Sequence, residues 1–146
     1  MQTVLFLCTG NYYRSRYAEA VFNWQARKEG SPWSAFSRGL DPSPFNVGPV
    51  SRETIAALRK LGIPLDEPPR FPIVACEHDF RAAHHVVAVK EAEHRPLIER
   101  KFAAWLERVE FWHVDDLDGC GPEETLPHLD KQVAALLRRL AESGTR

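Results

Sequence analysis

Two side chains near the start of the chain have the types and the spacing of a phosphate site. Cys8 and Arg14 flank residues 9–13, and Ser15 follows directly. A cysteine thiolate can attack phosphorus, and the planar guanidinium of an arginine can hold two phosphate oxygens at once, which a lysine cannot do. The spacing therefore predicts nucleophilic chemistry on a phosphate ester, with Ser15 donating a hydrogen bond to the thiolate.

The flanking sequence predicts a strand before this segment and a helix after it. Residues 4–7 are a short apolar run, and beyond Ser15 apolar residues recur at helical spacing, at Tyr17, Ala18, Val21 and Phe22. Backbone N–H groups converge where a strand leads into a helix, and the helix dipole favours negative charge there. The alternative is that Cys8 is a buried structural cysteine, because free cysteines often behave as small hydrophobic residues. Gly10 and Asn11 favour the functional interpretation, since glycine lets a ligand approach the backbone and asparagine tolerates a left-handed conformation.

Residues 4–15, Val-Leu-Phe-Leu-Cys-Thr-Gly-Asn-Tyr-Tyr-Arg-Ser, resemble the signature of the low-molecular-weight protein tyrosine phosphatases, a family related to thioredoxin-coupled arsenate reductases. Residues 37–39 are similar to a turn of small residues after the family's second strand. Residues 45–48 are similar to a segment that walls the substrate pocket, and residues 112–116 to the approach to the general-acid loop. The resemblance implies one domain over residues 1–146 that hydrolyses phosphotyrosine monoesters through a phosphocysteine intermediate.

The resemblance also implies roles for individual side chains. Cys8 is expected to be the nucleophile, Arg14 to hold the transferring phosphoryl group, and Ser15 to assist Cys8 as a leaving group in the second step. Asn11 is expected to hold the shape of the loop through hydrogen bonds that include Ser37. An aromatic ring of the substrate would lie between Tyr12 and Phe45. The residues predicted to bind the substrate are Thr9, Gly10, Asn11, Tyr12, Tyr13, Ser15 and Phe45.

The general acid is expected among three aspartates after the last predicted strand. The family places an aspartate followed by proline there, often with two tyrosines behind it, and this chain has neither the proline nor the tyrosines. Counting from Trp112 favours Asp116. Asp115 and Asp118 lie close enough in sequence to remain alternatives.

Two other functions remain open, an arsenate reductase and a phosphate-binding module without turnover. Arsenate reductases of this kind relay a disulfide through two further cysteines in one flexible segment. Cys76 stands alone in its segment, and Cys120 follows the predicted acid loop. Many family members carry a second cysteine where this chain has Tyr13, so we expect no redox partner for the nucleophile within its own loop. Retention of Cys8 together with Arg14 argues against the inactive module.

Composition and charge limit the classes of molecule that we expect this chain to bind. The 146 residues carry a formal net charge of −1, and no basic stretch alternates with aromatic residues, which disfavours nucleic acid as a partner. No apolar run approaches the length of a membrane span or a signal sequence, and three widely spaced cysteines suit a reducing compartment, so we expect a cytoplasmic protein. The six histidines lack metal-ligand spacing, and we expect neither metal nor cofactor. The expected partners are a phosphotyrosine protein or a small aryl phosphate, with inorganic phosphate as product.

Alternating strand and helix patterns predict a three-layer α/β/α fold. The family resemblance adds that the sheet has four parallel strands in the order 2-1-3-4, with the phosphate loop after the first strand. The predicted strands cover Val4–Leu7, Trp33–Ser37, His85–Val89 and Val109–Val114. The predicted helices run from Arg14 or Ser15 to Lys28, from Ser51 to Leu61, from Ala92 to Glu107, and from Glu123 or Leu126 to Ala141.

Overall fold

Helices pack on both faces of a parallel sheet whose four strands run in the order β2-β1-β3-β4. The computed structural model describes residues 2–117 and 119–144. Its strands are β1 (Gln2–Cys8), β2 (Trp33–Gly39), β3 (His85–Ala88) and β4 (Val109–Phe111). Its α-helices are α1 (Arg14–Glu29), α2 (Arg52–Lys60), α3 (Glu77–Ala82), α4 (Glu91–Lys101) and α5 (Pro122–Gly144). The predicted fold class and strand order are both confirmed.

The central strand β1 is apolar on both faces. Val4 and Phe6 pack in the core layer that contains residues of α1 and α5, whereas Leu5 and Leu7 pack in the layer that contains residues of α3 and α4. Alternate side chains of a strand point to opposite faces, and a strand covered on both faces is therefore apolar throughout. Burying each of these side chains contributes roughly 1.5–3 kcal/mol. This packing fixes the carboxyl end of β1, where the predicted phosphate loop begins.

The first helix ends one residue after the predicted Lys28, and the fourth is shorter than predicted. Gly30 terminates α1 in the left-handed conformation, with φ of 65°. The predicted helix from Ala92 to Glu107 is wrong in its second half, because α4 ends at Lys101 and residues 103–108 form a 3-10 helix. Phe102 leaves the helix and packs against Phe80, with ring centroids 4.6 Å apart. Apolar spacing of three to four residues suits both helix types, so the sequence did not separate them.

The last strand is also shorter than the predicted Val109–Val114. β4 ends at Phe111, but the backbone stays close to the sheet, because the N–H of Trp112 bonds to Ala88 and the N–H of Val114 bonds to Val89. This extension carries the chain to the carboxyl edge of the sheet, where the aspartates follow. Within the two described ranges, no helix is both long and apolar enough to cross a membrane.

Candidate active site

The loop between β1 and α1 holds Cys8 beside two hydrogen-bond donors. Cys8 is buried, with 2% of its surface exposed, and its Sγ lies 2.9 Å from the Oγ of Ser15. The backbone N–H of Asn11 donates to the same sulfur at 3.3 Å. The side-chain amide of Asn11 donates to the Ser15 Oγ at 2.9 Å, which leaves the Ser15 hydrogen free to bond to a thiolate. The sulfur of Cys8 therefore lies within reach of two groups that can donate a hydrogen bond to it.

The carbonyl groups of the loop point away from its centre. Three of them accept backbone hydrogen bonds of 2.9 Å from outside the loop: Cys8 from Leu40, Thr9 from Asp41, and Tyr12 from Ser51. In a trans peptide the next N–H lies opposite the carbonyl, so the N–H groups of residues 9, 10 and 13 turn toward the centre. A ring of inward N–H groups next to a helix N-terminus binds an anion.

Asn11, through its buried side chain, stabilises the conformation of the loop between β1 and α1. It is fully buried and left-handed, with φ of 50°. Its amide nitrogen donates to Ser15 and to Ser37, both at 2.9 Å, so the predicted hydrogen bond to Ser37 is present. Its side-chain oxygen, Oδ1, accepts a hydrogen bond from Arg70 at 3.0 Å and another from the backbone N–H of Ile73 at 3.1 Å. All four hydrogen-bonding positions of the side chain are thus used, which outweighs the strain of a positive φ.

Two arginines behind the loop were not predicted from the sequence. Arg70 bonds to Asn11 and also reaches Glu19, at 3.3 Å. Arg16, only 7% exposed, donates to the carbonyl oxygens of Asn11, Pro49 and Arg70 at 3.3, 3.0 and 2.8 Å. Burial and the nearby charge of Arg70 lower the pKa of Arg16 to about 10. Arg16 therefore joins three separate loops around the site through backbone contacts.

The end of β2 lies against the same loop. A Cβ added to Gly39 would lie 3.0 Å from the backbone oxygen of Thr9, 3.0 Å from the Cβ of Asn11 and 2.8 Å from the ring of Pro42. This close approach requires a glycine, which gives a physical reason for the small-residue turn at residues 37–39.

Arg14 is buried and held in a fixed orientation. Its Nη1 donates to the carbonyl oxygen of Val114 at 3.0 Å. Its Nη2 donates to Glu93 at 2.8 Å and lies 3.5 Å from the Oδ2 of Asp116. Both Nη atoms of the guanidinium therefore have partners. Among the contacts of the described residues, the Nε atom has none, and this edge of the guanidinium is left to bind a ligand.

Glu93, in the first turn of α4, is a site residue that sequence reasoning missed. Its Oε2 accepts hydrogen bonds from both Arg14 and the hydroxyl of Thr9, and lies 3.2 Å from the Nε2 of the buried His94. Burial alone would raise the pKa of Glu93, but these three contacts outweigh burial and hold the pKa well below its usual range. A signal for Glu93 did exist: residues after β3 and after β1 must meet at one edge of a parallel sheet.

Two of the three aspartates predicted as candidate acids have different surroundings. Asp116 lies beside Arg14 and lines the cleft that reaches Cys8. Asp115 instead pairs with Lys90 at 2.7 Å, and the hydrogen bond from Lys90 lowers the pKa of Asp115, which favours the ionised form and weakens it as a proton donor. Asp118 lies outside the described residues.

A cleft with a volume of about 200 Å³ reaches the nucleophile, a size suited to a phosphate group and part of its ester. Its lining consists of Cys8, Gly10, Tyr12, Tyr13, Arg14, Asn46, Asp116 and Leu117. Phe45 does not line it: this side chain is 89% exposed and borders a neighbouring depression together with Tyr12 and Val47. Asn46 belongs to the segment 45–48 that was expected to wall the pocket, whereas Leu117 is a wall residue that the sequence did not indicate.

Tyr13, Cys76 and Cys120, which lie outside the catalytic group, have different surroundings. Tyr13 is buried, and burial raises its pKa to about 12, so its hydroxyl stays protonated. Cys76 is exposed at the start of α3, and the Sγ of Cys120 contacts Glu124 at 3.1 Å. The three cysteines are all free. Among the described residues, no three histidine, cysteine or acidic side chains gather as a metal ion would require.

Known proteins are similar to this chain in sequence and in fold. The family model described as low molecular weight phosphotyrosine protein phosphatase matches residues 3–145. A low molecular weight protein tyrosine phosphatase from T. tengcongensis is 26% identical, with a TM-score of 0.80 over 95% of this chain and 99% of that one. The YwlE arginine phosphatase from Geobacillus stearothermophilus has a TM-score of 0.78 at 19% identity, covering 98% of this chain and 95% of that one, which shows a shared fold alone.

A curated relative carries a different name. The arsenate reductase of Brevibacillus brevis is 35% identical over 66 residues, which are 45% of this chain and 43% of that protein. The chain thus matches less than half the length of this curated relative.

Proposed function

We propose, since this chain belongs to the low molecular weight phosphotyrosine protein phosphatase family, that it is a protein tyrosine phosphatase acting through a phosphocysteine on Cys8. The observation that carries the proposal is that a nucleophile, a fixed cation and a carboxyl group line one cleft. These are Cys8, Arg14 and Asp116, whose separation in sequence makes their convergence informative. Residues 1–146 then form one catalytic domain, and the reactive thiol suits the reducing cytoplasm.

In the first chemical step, the thiolate of Cys8 attacks phosphorus and the bond from phosphorus to the phenolic oxygen breaks. Asp116 gives its proton to that oxygen, so the leaving group departs as a neutral phenol. Arg14 and the inward loop amides neutralise the charge on the three equatorial oxygens of the transferring group. The planar fork of Arg14 suits this task because it contacts two oxygens at once.

In the second step, water attacks the phosphocysteine and the bond from sulfur to phosphorus breaks. The Asp116 carboxylate accepts a proton from the water, and inorganic phosphate leaves. The electron pair of the broken bond returns to Cys8 as a thiolate, which Ser15 stabilises through the 2.9 Å contact between Oγ and Sγ.

Aromatic substrates fit the site best by the chemistry of its walls. Tyr12 and Tyr13 line the cleft, and the exposed Phe45 borders the adjoining depression with Tyr12. A phenol ring extending from the phosphate would lie along Tyr12, and Phe45 would cover it by a rearrangement of its loop. The substrate is then a phosphotyrosine protein or a small aryl phosphate. Phosphoarginine, suggested by the name of one structural neighbour, lacks the aromatic ring that these tyrosine and phenylalanine side chains would contact.

Arsenate reduction is the second candidate, supported by the curated relative of that name. It requires a thiol that resolves an adduct on Cys8. Cys76 is exposed, and Cys120 contacts Glu124 rather than Cys8. Neither cysteine lines the cleft that reaches Cys8, which supports the phosphatase over a reductase that uses a thiol of its own.

The proposal is tested by steady-state assays with three substrates: an aryl phosphate, phosphoarginine, and arsenate with a thiol reductant. Aryl phosphate hydrolysis that Cys8→Ser abolishes and Arg14→Lys nearly abolishes supports the phosphatase. Arsenate-dependent thiol oxidation would instead support the reductase. Preferred phosphoarginine turnover would replace the substrate class. Phosphopeptide binding without any turnover would show the inactive module.

A further inference from the structure

We propose that Glu93 is a positioning residue that fixes the guanidinium of Arg14, and that His94 holds Glu93 in place. The inference rests on the proposed function, because it assigns Arg14 to a transferring phosphoryl group. It adds a carboxylate and an imidazole, neither of which touches the cleft, to the machinery of the site.

Glu93 contacts both ends of the phosphate loop. Its Oε2 accepts from Thr9, the first residue after the nucleophile, and from the Nη2 of Arg14 at 2.8 Å. The oxygen thus ties the β1 end of the loop to the α1 end. Because Val114 holds Nη1 at 3.0 Å, two anchors fix the plane of the guanidinium. A planar fork gives two aligned hydrogen bonds only when its plane is set correctly.

Glu93 does not occupy the place of the substrate. The cleft is lined by Arg14 and Asp116 but not by Glu93, whose side chain is 30% exposed. A carboxylate that competed with phosphate for Arg14 would have to lie within the cleft. Glu93 lies beside the cleft, and it therefore supports Arg14 rather than competing with phosphate for it.

His94 has a protonation state that suits this task. It is fully buried, and its Nδ1 accepts a hydrogen bond of 3.0 Å from the backbone N–H of Lys90. Burial lowers the pKa of His94, although the Glu93 carboxylate opposes this, so the ring is neutral and carries its hydrogen on Nε2. That atom lies 3.2 Å from the Oε2 of Glu93 without hydrogen-bond alignment, and has no other polar partner among the described residues. The Nε2–H dipole of His94 thus lies next to the Glu93 carboxylate, and this electrostatic contact is the one by which we infer that His94 holds Glu93.

The role predicts a difference between ground-state and transition-state binding. Phosphate resembles the product, whereas vanadate forms a five-coordinate adduct with a thiolate and resembles the transition state. Accurate placement of Arg14 matters most when charge spreads over the equatorial oxygens. A purely structural role for Glu93 would change the thermal midpoint and leave the ratio of the two affinities unchanged.

The experiment measures inhibition or binding by vanadate and by inorganic phosphate, together with kcat for an aryl phosphate. Glu93→Ala should lower kcat and vanadate affinity by about 10²-fold and phosphate affinity by less than about 5-fold, because a small misplacement can cost that much. Glu93→Gln keeps an oxygen for Thr9 and Arg14, so it should recover most of the loss. Glu91→Gln is the matched control, since Glu91 lies on the same helix and pairs with Arg95.

His94 is tested by a double-mutant cycle. His94→Leu should lower vanadate affinity about 3- to 10-fold in the wild-type background and add little in the Glu93→Ala background, because it acts through Glu93. Equal losses for both anions, no loss for either, or a gain in vanadate affinity would overturn the inference. If Glu93→Ala does not fold, the ratio of vanadate affinity to phosphate affinity in His94→Leu carries the test, with Glu93→Gln as the conservative variant that should stay close to wild type. If wild-type protein lacks aryl phosphate turnover, the proposed function fails, while the two anion affinities still decide this inference.

Discussion

The Nη2 atom of Arg14 lies 3.5 Å from the Oδ2 atom of Asp116 at the wall of the cleft that reaches Cys8. Arg14 is buried at the start of α1, whereas Asp116 is 42% exposed on the segment after β4. A fixed cation thus meets an accessible carboxyl group. A phosphate held by Arg14 comes within reach of Asp116, which is the placement that a proton donor to the leaving oxygen needs.

Replacement of Asp116 should produce a loss that depends on the leaving group. We expect Asp116→Asn to lower kcat/KM, which reports the steps through departure of the phenol, by about 10²- to 10⁴-fold for tyrosine phosphate, and much less for the phosphate of an activated phenol, which departs without a proton. Asp115→Asn is the matched control and should be milder, because Asp115 pairs with Lys90. Kinetics over a series of phenols checks this. A leaving-group-dependent loss in Asp118→Asn instead would move the acid by two positions.

Replacement of Asn11 should damage both stability and turnover. Asn11→Ala removes four side-chain hydrogen bonds from a buried, left-handed residue, and should lower the free energy of unfolding by roughly 2–4 kcal/mol. Asn23→Ala removes two hydrogen bonds to Ala35 between α1 and β2, away from the loop. Urea unfolding and kcat should show lower stability in both variants but lower kcat in Asn11→Ala alone. Normal kcat in a folded Asn11→Ala would contradict the assigned role.

We expect the free energy of unfolding to decrease at acid pH, in part because Glu110 becomes protonated. Burial alone would raise the pKa of Glu110, but hydrogen bonds from His85, Arg139 and Trp112 outweigh it and hold the pKa well below its usual range. The folded state therefore favours the carboxylate, and this stabilisation exists above about pH 4.3 and fades as the pH falls. Glu110→Gln should cost about 1–3 kcal/mol of unfolding free energy at pH 7.

The same difference should shrink at about pH 3, below the usual pKa of a glutamate. Urea unfolding at both pH values measures it. Glu99→Gln, at an exposed position of α4, is the control and should change stability by less than about 0.5 kcal/mol. A difference between wild type and Glu110→Gln that is equal at both pH values would show that the charge of Glu110 does not stabilise the fold.

Peroxide should inactivate the enzyme with poor recovery on adding dithiothreitol. A thiolate oxidises to sulfenic acid and then irreversibly further unless another thiol traps it. Tyr13 leaves the loop without a second thiol, and the hydrogen bond to Glu124 raises the pKa of Cys120, which makes it a slower trap. Mass spectrometry should find sulfinic or sulfonic Cys8. A reversible disulfide from Cys8 to Cys120 or Cys76 would reveal a resolving cysteine.

Local patterns in the sequence predict the nucleophile and its immediate neighbours. Residues 4–15 carry an apolar strand, a loop and a helix in one stretch, so spacing alone assigns Cys8, Arg14 and Ser15 to one loop. Two side chains that support the loop, Arg70 and Glu93, come from segments distant in sequence. Arg70 lies in a proline-rich stretch, and Glu93 faces the loop only because β3 pairs with β1. Such contacts are set by tertiary packing and cannot be read from spacing.

The central claim is that Cys8 carries the phosphoryl group, and acid quenching of Asp116→Asn tests it most directly. With the phosphate of an activated phenol, the first step needs no proton donor, whereas the second step lacks the base that activates water. A phosphorylated intermediate should therefore accumulate, and peptide mass spectrometry should place one phosphoryl group on Cys8. A phosphoryl group on any other residue, or phenol release in a burst with unmodified Cys8, would contradict the account.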